Sequence, residues 1–175
     1  NGHVDAARLL LENGAEVDLA SEKGATPLFI ACYKGHVDAA RLMLDKGAEV
    51  DRAEKGGMTP LHVACSNGHI DAARLLLEKG ADVDRARKDS VTPLLIACYD
   101  GHVDVARLLL AHGAEVDRAN KLGGTPLFIA CLSGHVDAAR LLLDKGAEVD
   151  RGDKRGTTPL IIASGQGHSS IVALL

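Results

Sequence analysis

The chain has 175 residues, 46% of them apolar but only 2% aromatic, with no tryptophan and a formal net charge of −4. That balance argues against a phosphate-neutralising nucleic-acid surface, and no apolar run approaches the roughly 18 residues a membrane-spanning helix needs. No charged-then-apolar leader opens the sequence, so nothing in it names a compartment.

In chain order, the first element is GHVDAARLLLENGAEVD from Gly2. It returns from Gly35, Gly68, Gly101 and Gly134, and in degraded form from Gly167. His3, His36, His69, His102, His135 and His168 fall 33 residues apart. A fixed period of that length marks a stack of units, none of which can bury its apolar face alone. Residues 1–175 therefore read as one domain. Residues 1–20 form a half repeat, 21–53, 54–86, 87–119 and 120–152 full repeats, and 153–175 a truncated terminal repeat. The closing IVALL is not the polar cap a stack requires, so a piece of a longer array is expected.

The unit 21–53 shows how each repeat is expected to fold. Thr26 is pushed to extended geometry by Pro27 and can cap a helix, and proline at the first helical position loses nothing. Leu28, Ala31 and Cys32 follow at helical spacing until Gly35, giving a helix of about two turns. A second helix begins at Val37, with Asp38 in its first turn, Lys46 near its end and Gly47 as a left-handed cap. Val37, Ala40, Leu42, Met43 and Leu44 make its apolar stripe. Asp38 and Arg41 are expected to pair on the outer face, as are Asp5/Arg8, Asp71/Arg74, Asp104/Arg107 and Asp137/Arg140. The connecting segment reads as a β-like hairpin with Val50 turned inward. Its tight turn uses Gly24, Gly57, Gly123 and Gly156, and Ser90 stands at that place in the middle copy.

Cys32, Cys65, Cys98 and Cys131 occupy one repeat position. Equivalent residues on stacked helices lie roughly 8–10 Å apart, too far for a disulfide. They read as small buried hydrophobes, and free thiols point to a reducing, intracellular and cytoplasmic setting.

Thr26-Pro27-Leu28, Thr59-Pro60-Leu61, Thr92-Pro93-Leu94, Thr125-Pro126-Leu127 and Thr158-Pro159-Leu160, with Gly-His between the two helices, resemble the ankyrin repeat over the whole chain. The family's fuller T-P-L-H-x-A appears once, at Thr59 to Ala64. Phe29, Leu95, Phe128 and Ile161 replace its histidine elsewhere, which implies apolar stacking there instead of a histidine ladder. The resemblance implies a mainly α solenoid of helix-turn-helix units with projecting β-hairpin loops.

Chemistry finds no foothold. Histidines one repeat apart cannot share a zinc ion, and no Cys-x-x-Cys or His-x-x-x-His accompanies them. They read as loop histidines bonded to backbone. Asp18, Asp51, Asp84, Asp117 and Asp150 repeat one environment, whereas an acid/base pair needs two different ones. With Arg52, Arg85, Arg118 and Arg151 beside them, they read as solvated, salt-bridged hairpin charges. The thiols lack an adjacent base. No catalytic residue, metal site, cofactor or small-molecule substrate is expected, and the chain is not read as an enzyme.

Positions that vary between copies are free of the stacking constraint. On the hairpin tips these include Lys23, Ala25, Lys55, Met58, Lys88, Asp89, Val91, Lys121, Leu122, Lys154 and Arg155. At the ends of the first helices they include Tyr33, Lys34, Ser66, Asn67, Tyr99, Asp100, Leu132 and Ser133. Both sets fall along one inner groove, and the resemblance implies that this concave side grips a partner protein. Tyr33 and Tyr99 stand out, since exposed aromatic residues among polar neighbours suit an interface. The expectation is a monomeric protein-interaction scaffold that binds neither nucleic acid nor membrane. The alternatives are a structural or consensus-built stack without a partner, and a regulatory segment of a larger enzyme or channel.

Overall fold

A computed structural model describes residues 2–175; Asn1, read as interhelical loop, lies outside them, as does the His3 side chain. Eleven helices make up the described residues, without a strand. α1 (Gly2–Glu12) is followed by five first helices and five second helices in alternation. The first helices are α2 (Pro27–Tyr33), α4 (Pro60–Ser66), α6 (Pro93–Asp100), α8 (Pro126–Ser133) and α10 (Pro159–Gln166). The second helices are α3 (Val37–Asp45), α5 (Ile70–Glu78), α7 (Val103–Ala111), α9 (Val136–Asp144) and α11 (Ser169–Val172).

The boundaries follow from local chemistry. Thr26, Thr59, Thr92, Thr125 and Thr158 sit in extended geometry and accept a hydrogen bond from the backbone N–H three residues on, with proline at the first helical position. Gly35 then turns the chain with φ of +71°. It is required twice over, because a Cβ there would also stand 2.7 Å from Nδ1 of His69 in the next repeat. The Gly2–His3 step is helical in α1, in contrast to the interhelical turn the sequence suggests.

First helices pack on first helices and second on second, so the core is a continuous two-layer slab and not a sphere. Leu28, Leu61, Leu94 and Leu127 are fully buried between the layers, and Ala72, Ala73, Ala138 and Ala139 allow the second helices to close in. The alanine-rich composition is thus a packing requirement: a larger residue at these places would overpack the slab. The four cysteines are buried and unbridged, and burial pushes the thiols of Cys32, Cys98 and Cys131 up to about 12. Phe128 is buried, while Phe29 is only half-buried.

Two expectations need correction. The loops are not β-hairpins. Each is a closed turn: Glu54 N–H donates to the Met58 carbonyl and Gly57 N–H to the Glu54 carbonyl, both at 2.9 Å, before the Thr-Pro step redirects the chain. One pair of bonds is too little for a strand, although Val50 does turn inward onto the core. Nor do Asp38 and Arg41, or their equivalents, form ion pairs among the described residues. The short Asp side chain stays near the helix start, and Arg41 lies close enough to Asp45, one turn on, to help hold that carboxyl low. The larger cause of that lowering is the bond from Lys79 to Asp45 across repeats, at 2.8 Å.

Candidate functional site

Successive turns project from one side of the slab as a row of tips. Four of the five tips are held by the side chain of their first residue, and in the third Asp89 Oδ1 accepts from Val91 N–H instead. Asn120 Oδ1 accepts from the N–H groups of Leu122 and Gly124, and Asp153 Oδ1 from those of Arg155 and Thr157. Glu54 Oε1 accepts from Met58 N–H, and Ser21 Oγ from Ala25 N–H. Neighbouring tips are also linked, through Lys55 N–H to the Lys23 carbonyl, Lys121 N–H to that of Asp89 and Lys154 N–H to that of Leu122, at 3.0–3.1 Å. Side chains displayed there are therefore presented on a fixed backbone.

Between the tips and the ends of the first helices runs an apolar trough. One stretch is lined by Lys23, Ala25, Phe29, Ile30, Tyr33, Glu54, Met58, Val63, Ser66 and Asn67. The next is lined by Met58, Ser66, Arg87, Val91, Leu95, Ile96, Tyr99, Asp100, Asn120 and Ile129. Met58 and Ser66 belong to both, so the two stretches are continuous. Tyr33 and Tyr99, 44% and 59% exposed, stand two repeats apart on its wall. The Lys34 ammonium lies 5.1 Å from the centre of the Tyr33 ring, within cation–π range. Ser66 Oγ donates to Asp100 Oδ2 at 2.9 Å, and Asn67 Nδ2 to the Val63 carbonyl.

The trough brings together nine of the residues singled out by their variation: Lys23, Ala25, Tyr33, Met58, Ser66, Asn67, Val91, Tyr99 and Asp100. Lys34, Lys55, Lys88, Asp89, Lys121, Leu122, Leu132, Ser133 and Arg155 do not line these two stretches. Of these, Lys55, Lys88, Lys121, Leu122 and Arg155 are exposed on the tips, while Leu132 and Ser133 are half-buried at the end of α8. Variation between copies misses Ile30, Ile96 and Ile129, because that place is apolar in every repeat. The usable signal is different. Pro27 to Cys32 has no polar face, yet a helix apolar all round should be wholly buried, and Ile30 is 48% exposed. An apolar stripe with nowhere to go faces the trough.

The columns of histidine and aspartate join repeats. His69, His102, His135 and His168 bond through Nε2 to the carbonyls of Tyr33, Ser66, Tyr99 and Leu132 in the preceding repeat, at 2.9–3.2 Å. A histidine ladder therefore exists, at the Gly-His step and not at the T-P-L-H step. His62, alone at the latter, is fully buried, lies 2.8 Å from Thr59 Oγ1 and reaches the Val91 carbonyl at 3.2 Å. Burial pushes its pKa down to about 4.

Four of the five aspartates are not the solvated salt-bridge partners the sequence suggests; only Asp150 is exposed. Asp18, Asp51, Asp84 and Asp117 each accept a backbone N–H from the next repeat, at 2.9–3.2 Å. The second oxygens of Asp18, Asp51 and Asp84 are buried without a partner. Desolvation raises the Asp51 and Asp84 carboxyls in spite of the backbone bonds. Arg52, Arg118 and Arg151 pair instead with Glu49, Glu115 and Glu148. Arg85 forms no such pair among the described residues, because the shorter Asp82 stands three residues before it.

Among the described residues no three His, Cys, Asp or Glu side chains converge to hold a metal ion, and no helix is long and apolar enough to cross a membrane. A comparison with curated proteins finds no match. The family model for ankyrin repeats matches in three copies, over residues 1–87, 83–153 and 113–175.

Proposed function

Because the chain belongs to the ankyrin repeat family, whose members are protein-interaction modules and typically not enzymes, we propose that it is a scaffold holding one partner protein in the trough between its tips and first helices. The observation that carries this is the continuous apolar wall from Tyr33 through Met58 to Tyr99, open to solvent on a backbone fixed by inter-repeat bonds. Aromatic and Met side chains on a rigid support give contact area at low entropic cost. The polar side chains on the trough wall, Ser66, Arg87, Asp100 and Asn120, bond to one another or within their own tip, which favours a polypeptide over a small polar substrate.

The test compares affinity capture by the wild-type chain and by Tyr33→Ala/Tyr99→Ala. A protein recovered by the first and lost with the second, at unchanged Tm, is the expected result. Recovery that ignores both tyrosines would leave a stack with no partner in this trough.

A further inference from the structure

The tips carry one feature that the apolar trough does not account for. Each presents a lysine: Lys23, Lys55, Lys88, Lys121 and Lys154. All five are exposed, and none takes part in an ion pair among the described residues. In a chain of net charge −4 that is a local excess of one sign. On the same rim, Asp89 and Asp153 are neutralised by Arg87 and Arg155, at 2.7 and 3.2 Å. Glu54 and Asp100 bond only the neutral Met58 N–H and Ser66 hydroxyl and keep their charge, so the five lysines still outnumber the unpaired acids. Glu22 is the exposed acid left on the first tip. Backbone bonds link the tips of Lys23 and Lys55, and those of Lys88, Lys121 and Lys154, so the lysines run along the trough in two linked groups. Leu122, 74% exposed, adds an apolar side chain to the row beside Lys121.

Resting on the reading of the trough as a partner surface, we infer that its occupant is an extended acidic polypeptide segment, whose apolar side chains lie against Tyr33 and Tyr99 while its carboxylates follow the lysine row. The repeat spacing fixes the dimensions. Helices stack roughly 10 Å apart and an extended chain advances roughly 3.3 Å per residue. Five tips are thus spanned by about twelve residues, and the two tyrosines by about six. A nucleic acid fits less well. The lysines are single charges a repeat apart, the trough beside them is apolar, and Arg87, the guanidinium lining it, is held by Asp89.

The probe is a displayed library of random peptides about twelve residues long, matched to that span. It is selected on the full chain, and the enriched peptides are then measured by fluorescence anisotropy. The expected peptides are rich in Asp and Glu, with two apolar residues about six apart. Their affinity falls about tenfold or more in K23Q/K55Q/K88Q/K121Q/K154Q and weakens with added salt, as for a charged rim. It disappears in Y33A/Y99A.

Peptides that need the tyrosines but ignore both salt and the lysine changes would overturn the acidic partner and leave the trough as a binding surface. Absence of any tyrosine-dependent peptide would overturn both readings. Lysine-dependent binding of a poly(dT) oligonucleotide that ignores the tyrosines would make the row a nucleic-acid surface, and would also overturn the proposal. The salt dependence is read on the unmodified chain, so the inference stays testable even if the five-fold variant folds poorly.

Discussion

Ser90 stands where four other tips carry glycine, and its φ of +63° is the left-handed conformation that an L side chain adopts at a cost of about 1 kcal/mol. Ser90→Gly should therefore raise Tm by a few degrees, about what 1 kcal/mol yields in a chain of this size. Thermal unfolding followed by circular dichroism measures it, and an unchanged Tm would mean the turn tolerates serine without strain. His62 supplies a second residue-level test. Its folded pKa of about 4 lies below the ordinary histidine value. The stability it contributes is thus complete above pH 6.5 and lost as the pH falls towards 4, an effect of order 3 kcal/mol at most. Asp51 and Asp84 act in the opposite sense: raised carboxyls contribute stability at low pH that is lost as pH rises through their folded values. Comparing His62→Leu with wild type cancels the aspartates, since leucine already fills that place as Leu95. Denaturant titrations across this range should show a flatter acid limb in the variant; parallel curves would mean His62 protonates without cost.

At the scale of the element, the Gly-His step does two jobs. It ends a first helix in left-handed geometry, and it seats the next repeat's histidine against a bare Cα. Gly101 and Gly113 separate these effects. Both have positive φ, but a Cβ on Gly101 would stand 2.6 Å from the His135 ring, and one on Gly113 meets nothing within 4 Å. Both alanine variants should lose about 1 kcal/mol to backbone strain, and Gly101→Ala should lose roughly 1–2 kcal/mol more through displacement of the ring and its bond to the Tyr99 carbonyl. In a double-mutant cycle, His135→Ala should remove that excess. Equal losses at the two glycines would show that the ladder contributes nothing. The sequence made the step visible as a beat of Gly-His pairs, but a period names neither the partner of a side chain nor its repeat. A ring bonding across 36 residues is a fact of stacking.

For the whole molecule, stacking by translation has a further consequence. Places that pack are copied, and the T-P-L leucines, the buried cysteines, the capping threonines and the glycines could be read off one unit. Of the variable positions on the tips and helix ends, nine line the trough and the rest do not, since freedom to vary follows exposure and not the trough itself. Ile30 and Ile129 escaped that logic because they are constant and yet only partly covered. The tip-to-tip links and the aspartate bonds also lay beyond reach, since each joins a group in one repeat to a group in the next. By itself, then, the sequence determined the repeat, its helices, its caps and its small-residue core. These depend on contacts within about 33 residues, repeated without change. Only the tertiary structure decided which charges are occupied and which are free. A carboxylate such as Asp51 is engaged or available according to the neighbour that stacking delivers to it.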